Sequence, residues 1–372
     1  MNRIKIIKRN SWEEKIKEQG FVYYKDYYLE DAAYEFSSKE IDNIDKATAI
    51  IFDMCLKTVQ HVIDKNLFDE FFIPKKFKDL IVWSWREDMM SFYGRMDFAY
   101  DGKNIKLLEF NADTPTGLFE ASAIQWYWLQ DYNKKFDQFN SIHEKLVAHM
   151  KVCKPYFLDG KLFFSSVNNN AEDFMTVKYL QDCAEQASIP NDFIYIEDVS
   201  VDASNNFCTN AGEPIKNIFK LYPYEWMFHE EFGNNLWQTK DACYWVEPAY
   251  KSLLSNKMLL KYLYKLFPDS PYILPCEYGK PITADYVKKP VFSREGANIE
   301  IYKSGMLAEK TSGEYGEEGF VYQQYFDVPK QHGKTAIIGS WLIGGETAGM
   351  HMRESDGLIT DNMSKFVPHY FY

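Results

Sequence analysis

Between residues 161 and 198 the hydrophobic pattern changes period twice. "KLFFSSV" (161–167) is a nearly unbroken apolar run, as expected of a strand buried on both faces. "AEDFMTVKYLQDCAEQ" (171–186) has helical spacing and an acidic first turn, and "DFIYIED" (192–198) is a second strand. A strand, a helix and a strand in so short a span form a βαβ unit, which requires a parallel sheet. An all-α or all-β chain is thereby excluded, and the expected class is α/β (α+β).

Other segments arrange themselves around that unit. The first stretch looks helical, and Glu40 to Lys65 carries Ile44, Ala47, Ile51, Met54, Cys55, Val59 and Val62 at helical spacing. A further helix is expected over Gly117–Asp131, apolar over most of its surface and so buried, with Thr114 as N-cap and Pro115 at its first position. Pro248 precedes another, at about Tyr250–Phe267. The remainder reads as strands: "YVKKPVFS", "GFVYQQYFDV", "TAIIGSWLIGG" and "TAGMHMRE". The Gly-rich stretch 304–319 interrupts them and is expected to be mobile.

Composition narrows the function. Aromatic residues make up 17% of the 372, too many for a disordered chain. A net charge of −12 argues against general nucleic-acid binding and favours a cationic small molecule, with ATP still accommodated by a local basic pocket. None of the six cysteines forms C-x-x-C or has zinc-ligand spacing, so reduced thiols and a cytoplasmic setting are expected. The basic opening MNRIKIIKRN lacks the apolar core of a signal peptide, and no apolar run approaches membrane-spanning length.

The chemistry concentrates in "YGRMDFAYDGKNIKLLEFNADTPT" (93–116). Arg95 and Asp97 are two residues apart, as are Glu109 and Asn111, so in strands each pair shares a face. A hairpin with the three-residue loop Gly102-Lys103-Asn104 pairs Asp101 with Ile105. It sets Asp97 opposite Glu109 and Arg95 opposite Asn111, all on one face. A two-residue loop would set Asp97 against Leu108 and split the group. Two carboxylates and an amide oxygen at one place suit Mg²⁺, and an adjacent arginine suits phosphate. The alternative is a solvated face with an Arg–carboxylate network. Against it stand the repulsion between Asp97 and Glu109 and the apolar helix next in sequence. Later in the chain, Lys257 opens a helix, Lys289 ends an otherwise apolar strand, and Ser293–Asn298 is a small-residue turn able to lie over a triphosphate.

These strings, together with "SNKMLL", "VYQQYF" and "GSWLIGGETAGMHMRESDGLITDN", resemble the synthetase domain of glutathionylspermidine synthase and its stand-alone acid–amine ligase relatives. The resemblance covers nearly the whole chain. It implies an ATP-grasp fold in permuted order, with a βαβ domain of pre-ATP-grasp type between metal strands and lysines. It implies amide formation between a carboxylate and an amine through an acyl phosphate, using ATP and Mg²⁺. Carried over position by position, it makes Asp97, Glu109 and Asn111 the Mg²⁺ ligands and Arg95 the stabiliser of the transferred phosphate. It sets Lys257, Lys289, Glu295, Gly296, Gln323, Gln324, Tyr325, Phe326, Leu358, Ile359 and Thr360 around ATP. Thr114 would touch the peptide substrate, Glu172 and Asp173 would hold the polyamine or peptide amine, and Arg353 would lie near the substrate.

From the residues alone, Glu172 and Asp173 have another reading, as acids that complement a helix dipole. The expected division is 1–130 for the N-terminal helices and metal hairpin, 131–245 for the βαβ substrate domain, and 246–372 for the lysines, lid and C-terminal strands. Bifunctional members of the family carry an N-terminal cysteine amidase, for which this chain has no room. A peptide carboxylate and a polyamine are the expected substrates, with neither nucleic acid nor membrane as partner. The rival readings are a ligase joining an amino acid or larger peptide to another amine, and a nucleotide-binding regulator that has lost catalysis.

Overall fold

The hairpin at 93–111 lies at the edge of the sheet that organises the molecule. In a computed structural model describing residues 1–25 and 27–372, five antiparallel strands run in the order Lys365–Val367, Glu346–Ser355, Thr335–Ile343, Tyr93–Tyr100, Ile105–Asn111. Sequence alternation decides which face each side chain takes. Met96, Phe98, Ile338, Leu342, Met350 and Met352 point to a core shared with the long helix Ser38–Asp64. That helix starts at a capping box: Ser37 accepts from the Glu40 N–H while Glu40 reaches back to Ser37. The opposite face of the sheet carries Arg95, Asp97, Glu109, Asn111, Ile337, Gly339, His351 and Arg353, and lines a cleft.

Two further sheets flank this cleft. One is fully parallel, in the order Tyr244–Val246, Asn217–Leu221, Leu162–Ser166, Asn191–Tyr195, with helix Ala171–Gln186 as a crossover. Val167, Asn170, Leu221 and Pro223, at or just past strand C-termini, line the cleft, the usual place for ligands in a parallel sheet. The other is antiparallel and contains Tyr286–Pro290 and Phe320–Gln324, with the hairpin Glu300–Lys303 and Met306–Lys310 at its edge, its outer strand Met306–Lys310 exposed.

Several local expectations are corrected. The first stretch is not simply helical: strand Asn2–Lys5, helix Trp12–Glu18 and strand Ala32–Phe36 follow one another. Ala32–Phe36 is held between Asn2–Lys5 and His369–Phe371, so distant pairing overrides local preference. Thr114 is no N-cap. Thr114 and Thr116 are drawn into side-chain contacts with Arg294 and Arg95, Gly117 takes a left-handed φ of 81°, and helical structure begins only after it. It opens with a π-helical turn, Glu120–Ile124, and continues as Gln125–Tyr132. This helix is not buried all round, for Trp126 and Tyr127 are exposed. The helix expected over 250–267 is two, Lys251–Leu254 and Met258–Leu266. Between them Ser255 accepts from the N–H groups of Ala112 and Asp113, and Asn256 caps Met258.

The hairpin reaches its expected register by another route. Its last pair is Tyr100 with Ile105, so the turn is the four residues 101–104 rather than three. Continued unbroken, that register would face Asp97 with Leu108. A bulge between the Asp97 and Phe98 pairs takes up Leu108, and Asp97 then stands opposite Glu109 and Arg95 opposite Asn111.

Candidate active site

The bulge also anchors a lysine. Lys289 Nζ donates to the Leu108 carbonyl (2.8 Å) and to Gln323 Oε1 (2.7 Å), while Gln323 Nε2 donates to the Leu107 carbonyl (2.9 Å). Burial lowers the Lys289 pKa to about 8, although Glu109 opposes this. Lys257 Nζ donates to the Ser293 carbonyl and lies 3.2 Å from Glu109 Oε2. Burial would raise Glu109, but Lys257 and Lys289 outweigh it and hold the carboxyl down at about 2.

Asp97 meets a different cation. Arg95 donates to both its oxygens, Nε to Oδ1 (2.7 Å) and Nη2 to Oδ2 (2.9 Å), and Arg95 Nη1 donates to the Thr116 carbonyl. Burial still leaves the Asp97 pKa above its ordinary value. Asn111 Nδ2 donates to Glu109 Oε1 (3.0 Å) and Asp97 Oδ2 (3.2 Å), so the three side chains converge. Rotating that amide presents its oxygen instead. The result is an all-oxygen donor set of two opposed carboxylates and an amide, which fits a hard divalent cation. No cluster of three or more His, Cys, Asp or Glu among the described residues forms a metal site.

Two chambers meet at these carboxylates, sharing Asp97, Glu109, Gly296, Ile337 and Thr360 in their walls. The apolar one is bounded by Lys289, Ile299, Ile301, Gln324, Tyr325, Phe326, Leu358 and Ile359. The polar one is bounded by Arg95, Asn111, Thr114, Asp173, Arg294, Glu295, His351 and Arg353. A slot of isoleucine side chains thus opens onto Lys289 and two carboxylates, apolar within and charged at its mouth.

The family model for glutathionylspermidine synthase preATP-grasp matches residues 3–372. The chain belongs to this family. It is 38% identical to the "Putative acid–amine ligase" of Haemophilus influenzae, over 95% of this chain and 94% of that protein. It is 26% identical to the trypanothione synthetase of Crithidia fasciculata over 83% of this chain, and the match spans about half of that protein, 52%. A glutathione synthetase-like effector of Globodera pallida superimposes with a TM-score of 0.59 at 11% identity over 97% of both chains, a likeness of fold alone. The ATP-grasp fold and an amide-forming carboxylate–amine ligase follow from membership in the glutathionylspermidine synthase family.

Most of the residues singled out from sequence gather in the two chambers. Gln323, Lys257 and Glu172 take no part in the walls; Gln323 and Lys257 are buried, the first orienting Lys289 and the second lying behind Glu109. Arg353 lines the polar chamber, donating to the carbonyls of Ser364 (3.1 Å) and Asp361 (2.8 Å) and to the Tyr27 hydroxyl (3.3 Å). Glu172 and Asp173 lie in the first turn of their helix, which Asn170 caps by accepting from the Asp173 N–H (3.1 Å). Asp173 faces the chamber, and burial together with Glu172 and Glu295 raises its pKa to about 7. Burial raises Glu172 as well, against Arg353.

Three residues escaped the sequence reading. Glu120 is fully buried beside Glu172; burial and that neighbour raise it to about 7, and Tyr23 donates to one of its oxygens (3.1 Å) while the other has no partner. Its π-helical turn has no propensity signature. Arg294 joins the 293–298 turn to Thr114 and to Glu225, and only its place beside Glu295 could have flagged it. His351 stands alone among methionines, with nothing local to mark it.

Proposed function

We propose that the chain is an ATP-dependent ligase that joins a peptide carboxylate of glutathione type to a polyamine of spermidine type through an acyl phosphate. One observation carries this reading: a single hairpin register brings Arg95, Asp97, Glu109 and Asn111 together, with Lys257 and Lys289 on the same carboxylate. In this proposal the apolar chamber takes the adenine, between Gln324–Phe326 and Leu358–Thr360. Lys257, Lys289, Glu295 and Gly296 surround the phosphates. Asp97, Glu109 and Asn111 would hold Mg²⁺, which would supply positive charge to offset that of the phosphates. Arg95 leaves Asp97 to the cation and turns its guanidinium to the phosphoryl group in transfer. Thr114 and Arg353 hold the acid in the polar chamber.

The amine side draws on Glu172, Asp173 and Glu120. Glu120 is buried and Glu172 and Asp173 half-buried; these carboxyls repel one another, and a chain of ammonium groups would let them ionise together. The amine must shed a proton before attack, and a carboxyl near pKa 7 is suited to take it. The proposed units remain 1–130, 131–245 and 246–372, supplying metal side, amine side and nucleotide side. All six cysteines are buried and unpaired, and among the described residues no helix is long and apolar enough to cross a membrane. The unpaired thiols support work in a reducing, cytoplasmic compartment.

The test is an ATP-consumption screen over polyamines, with and without glutathione, followed by mass measurement of the product. ADP release with a product of mass acid plus amine minus water is expected. ADP release only with amino acids or other peptides would reassign the substrates, and none with any pair would remove the ligase reading.

A further inference from the structure

Strand register lines up four residues straight across the central sheet: Glu109 opposite Asp97, Asp97 opposite Gly339, Gly339 opposite His351. All four face the cleft. Gly339 is the gap in this row. A Cβ there would lie 2.4 Å from His351 Cε1, 2.6 Å from its Nε2 and 3.0 Å from Arg95 Cδ, so only glycine lets the imidazole and the Arg95 stem lie over the strand.

The imidazole is fixed in one protonation form by its neighbour. Trp341 Nε1–H, which can only donate, gives its hydrogen to His351 Nδ1 (2.9 Å). Nδ1 is therefore the acceptor, and the ring proton sits on Nε2. Burial, Arg95 and Arg353 keep the ring neutral. His351 is only 1% exposed, it borders the polar chamber, and among the described residues Nε2 has no hydrogen-bond partner. Nε2–H is thus a fixed donor at the chamber wall, open to an acceptor that enters the chamber.

We propose that His351 is a further catalytic residue, a neutral donor whose Nε2–H holds an oxygen of the acid substrate's carboxyl group at the point of amide formation. The inference rests on the ligase reading above. With the transferred phosphate at Asp97 and Glu109, the reacting carboxyl lies along the same row, toward His351. One carboxylate oxygen attacks the γ-phosphorus, the bond from phosphorus to the ADP oxygen breaks, and the other oxygen remains on Nε2–H. When the amine nitrogen attacks, the carbonyl electron pair moves onto that oxygen, whose growing charge the Nε2–H stabilises. The pair returns as the carbon–phosphate bond breaks, phosphate departs with the proton shed by nitrogen, and His351 transfers no proton.

The experiment uses the full chain with the acid and amine identified by the screen. His351→Leu should lower kcat about a hundredfold and leave KM for ATP within about twofold, the size of effect seen on removing one oxyanion donor. His351→Gln restores an N–H near Nε2 and should recover to within about tenfold of the parent. As a measurement that needs no variant, long-range ¹H–¹⁵N spectra of the parent protein should show the Nε2–H form of His351. Its Nε2 resonance should shift when the acid is added with Mg²⁺ and β,γ-methylene ATP. A His351→Leu enzyme within about threefold of the parent, equal losses for Gln and Leu, or an unshifted resonance overturns the inference while the ligase stands. No amide from the parent protein removes the ligase reading and this inference with it.

Discussion

At the scale of residues, the polar chamber holds more negative charge than its cations balance, and this has a measurable sign. Glu120 has a pKa of about 7 in the folded protein against 4.5 unperturbed. Between those values the folded chain binds a proton that the unfolded chain has released, so stability falls as pH rises through this window and stays lower above it. Glu120→Gln should reduce that slope, leaving the part that Asp173 and Glu172 contribute with the same sign, and raise stability at pH 8 by about 2 kcal/mol, read as a higher Tm; an unchanged pH profile of Tm would refute it. The same substitution should weaken the amine. Glu172→Gln and Asp173→Asn should raise KM for the amine by roughly tenfold to a hundredfold and spare KM for ATP. Equal effects on both would return Glu172 and Asp173 to the helix-dipole reading. Asp97, Glu109 and Asn111 were legible because strand parity is a local rule. Glu120 and His351 were not, because a buried carboxyl and a buried imidazole take their meaning from residues far off in sequence.

Among elements, the hairpin shows how a right register can come from a wrong turn. Alternation sets which polar residues share a face, but not whether the odd residue sits in the loop or in a bulge, since both satisfy it. The two differ in consequence: only the bulge frees the Leu108 carbonyl for Lys289. Deleting Leu108 should therefore keep Asp97 opposite Glu109 and spare Mg²⁺ dependence, yet raise KM for ATP several-fold. Equal damage to both would show the bulge to be part of the metal site. The Ser293–Asn298 turn and the 304–319 stretch are expected to close over ATP. Gly296 takes a φ of 68°, and a Cβ there would lie 2.4 Å from the Thr360 carbonyl, so the turn packs closely on the apolar chamber's wall. Trypsin should cut at Lys303 or Lys310 in the free protein about tenfold faster than with Mg²⁺ and β,γ-methylene ATP; equal rates would end the lid idea.

For the molecule as a whole, the βαβ unit was legible from periodicity, whereas the order of parts came only from the family resemblance, because pairing between distant strands leaves no local trace. The central sheet combines Tyr93–Asn111 with strands beyond residue 334. Both ends of the chain meet at the start of one helix: the Met1 amino group pairs with Glu40, and the Tyr372 carbonyl accepts from Ser38 N–H (3.1 Å) and hydroxyl (2.8 Å). Residues 1 and 372 thus lie close together. A short Gly/Ser bridge from Tyr372 to Met1, with a new cut between the exposed Lys134 and Lys135, would make the chain read βαβ unit, lysines, metal strands, the order of common ATP-grasp enzymes. Such a rearranged chain should fold and bind ATP within about threefold of the parent, because no contact in the cleft crosses the new cut. The cleft would then depend on which strands lie side by side and not on where the backbone is interrupted.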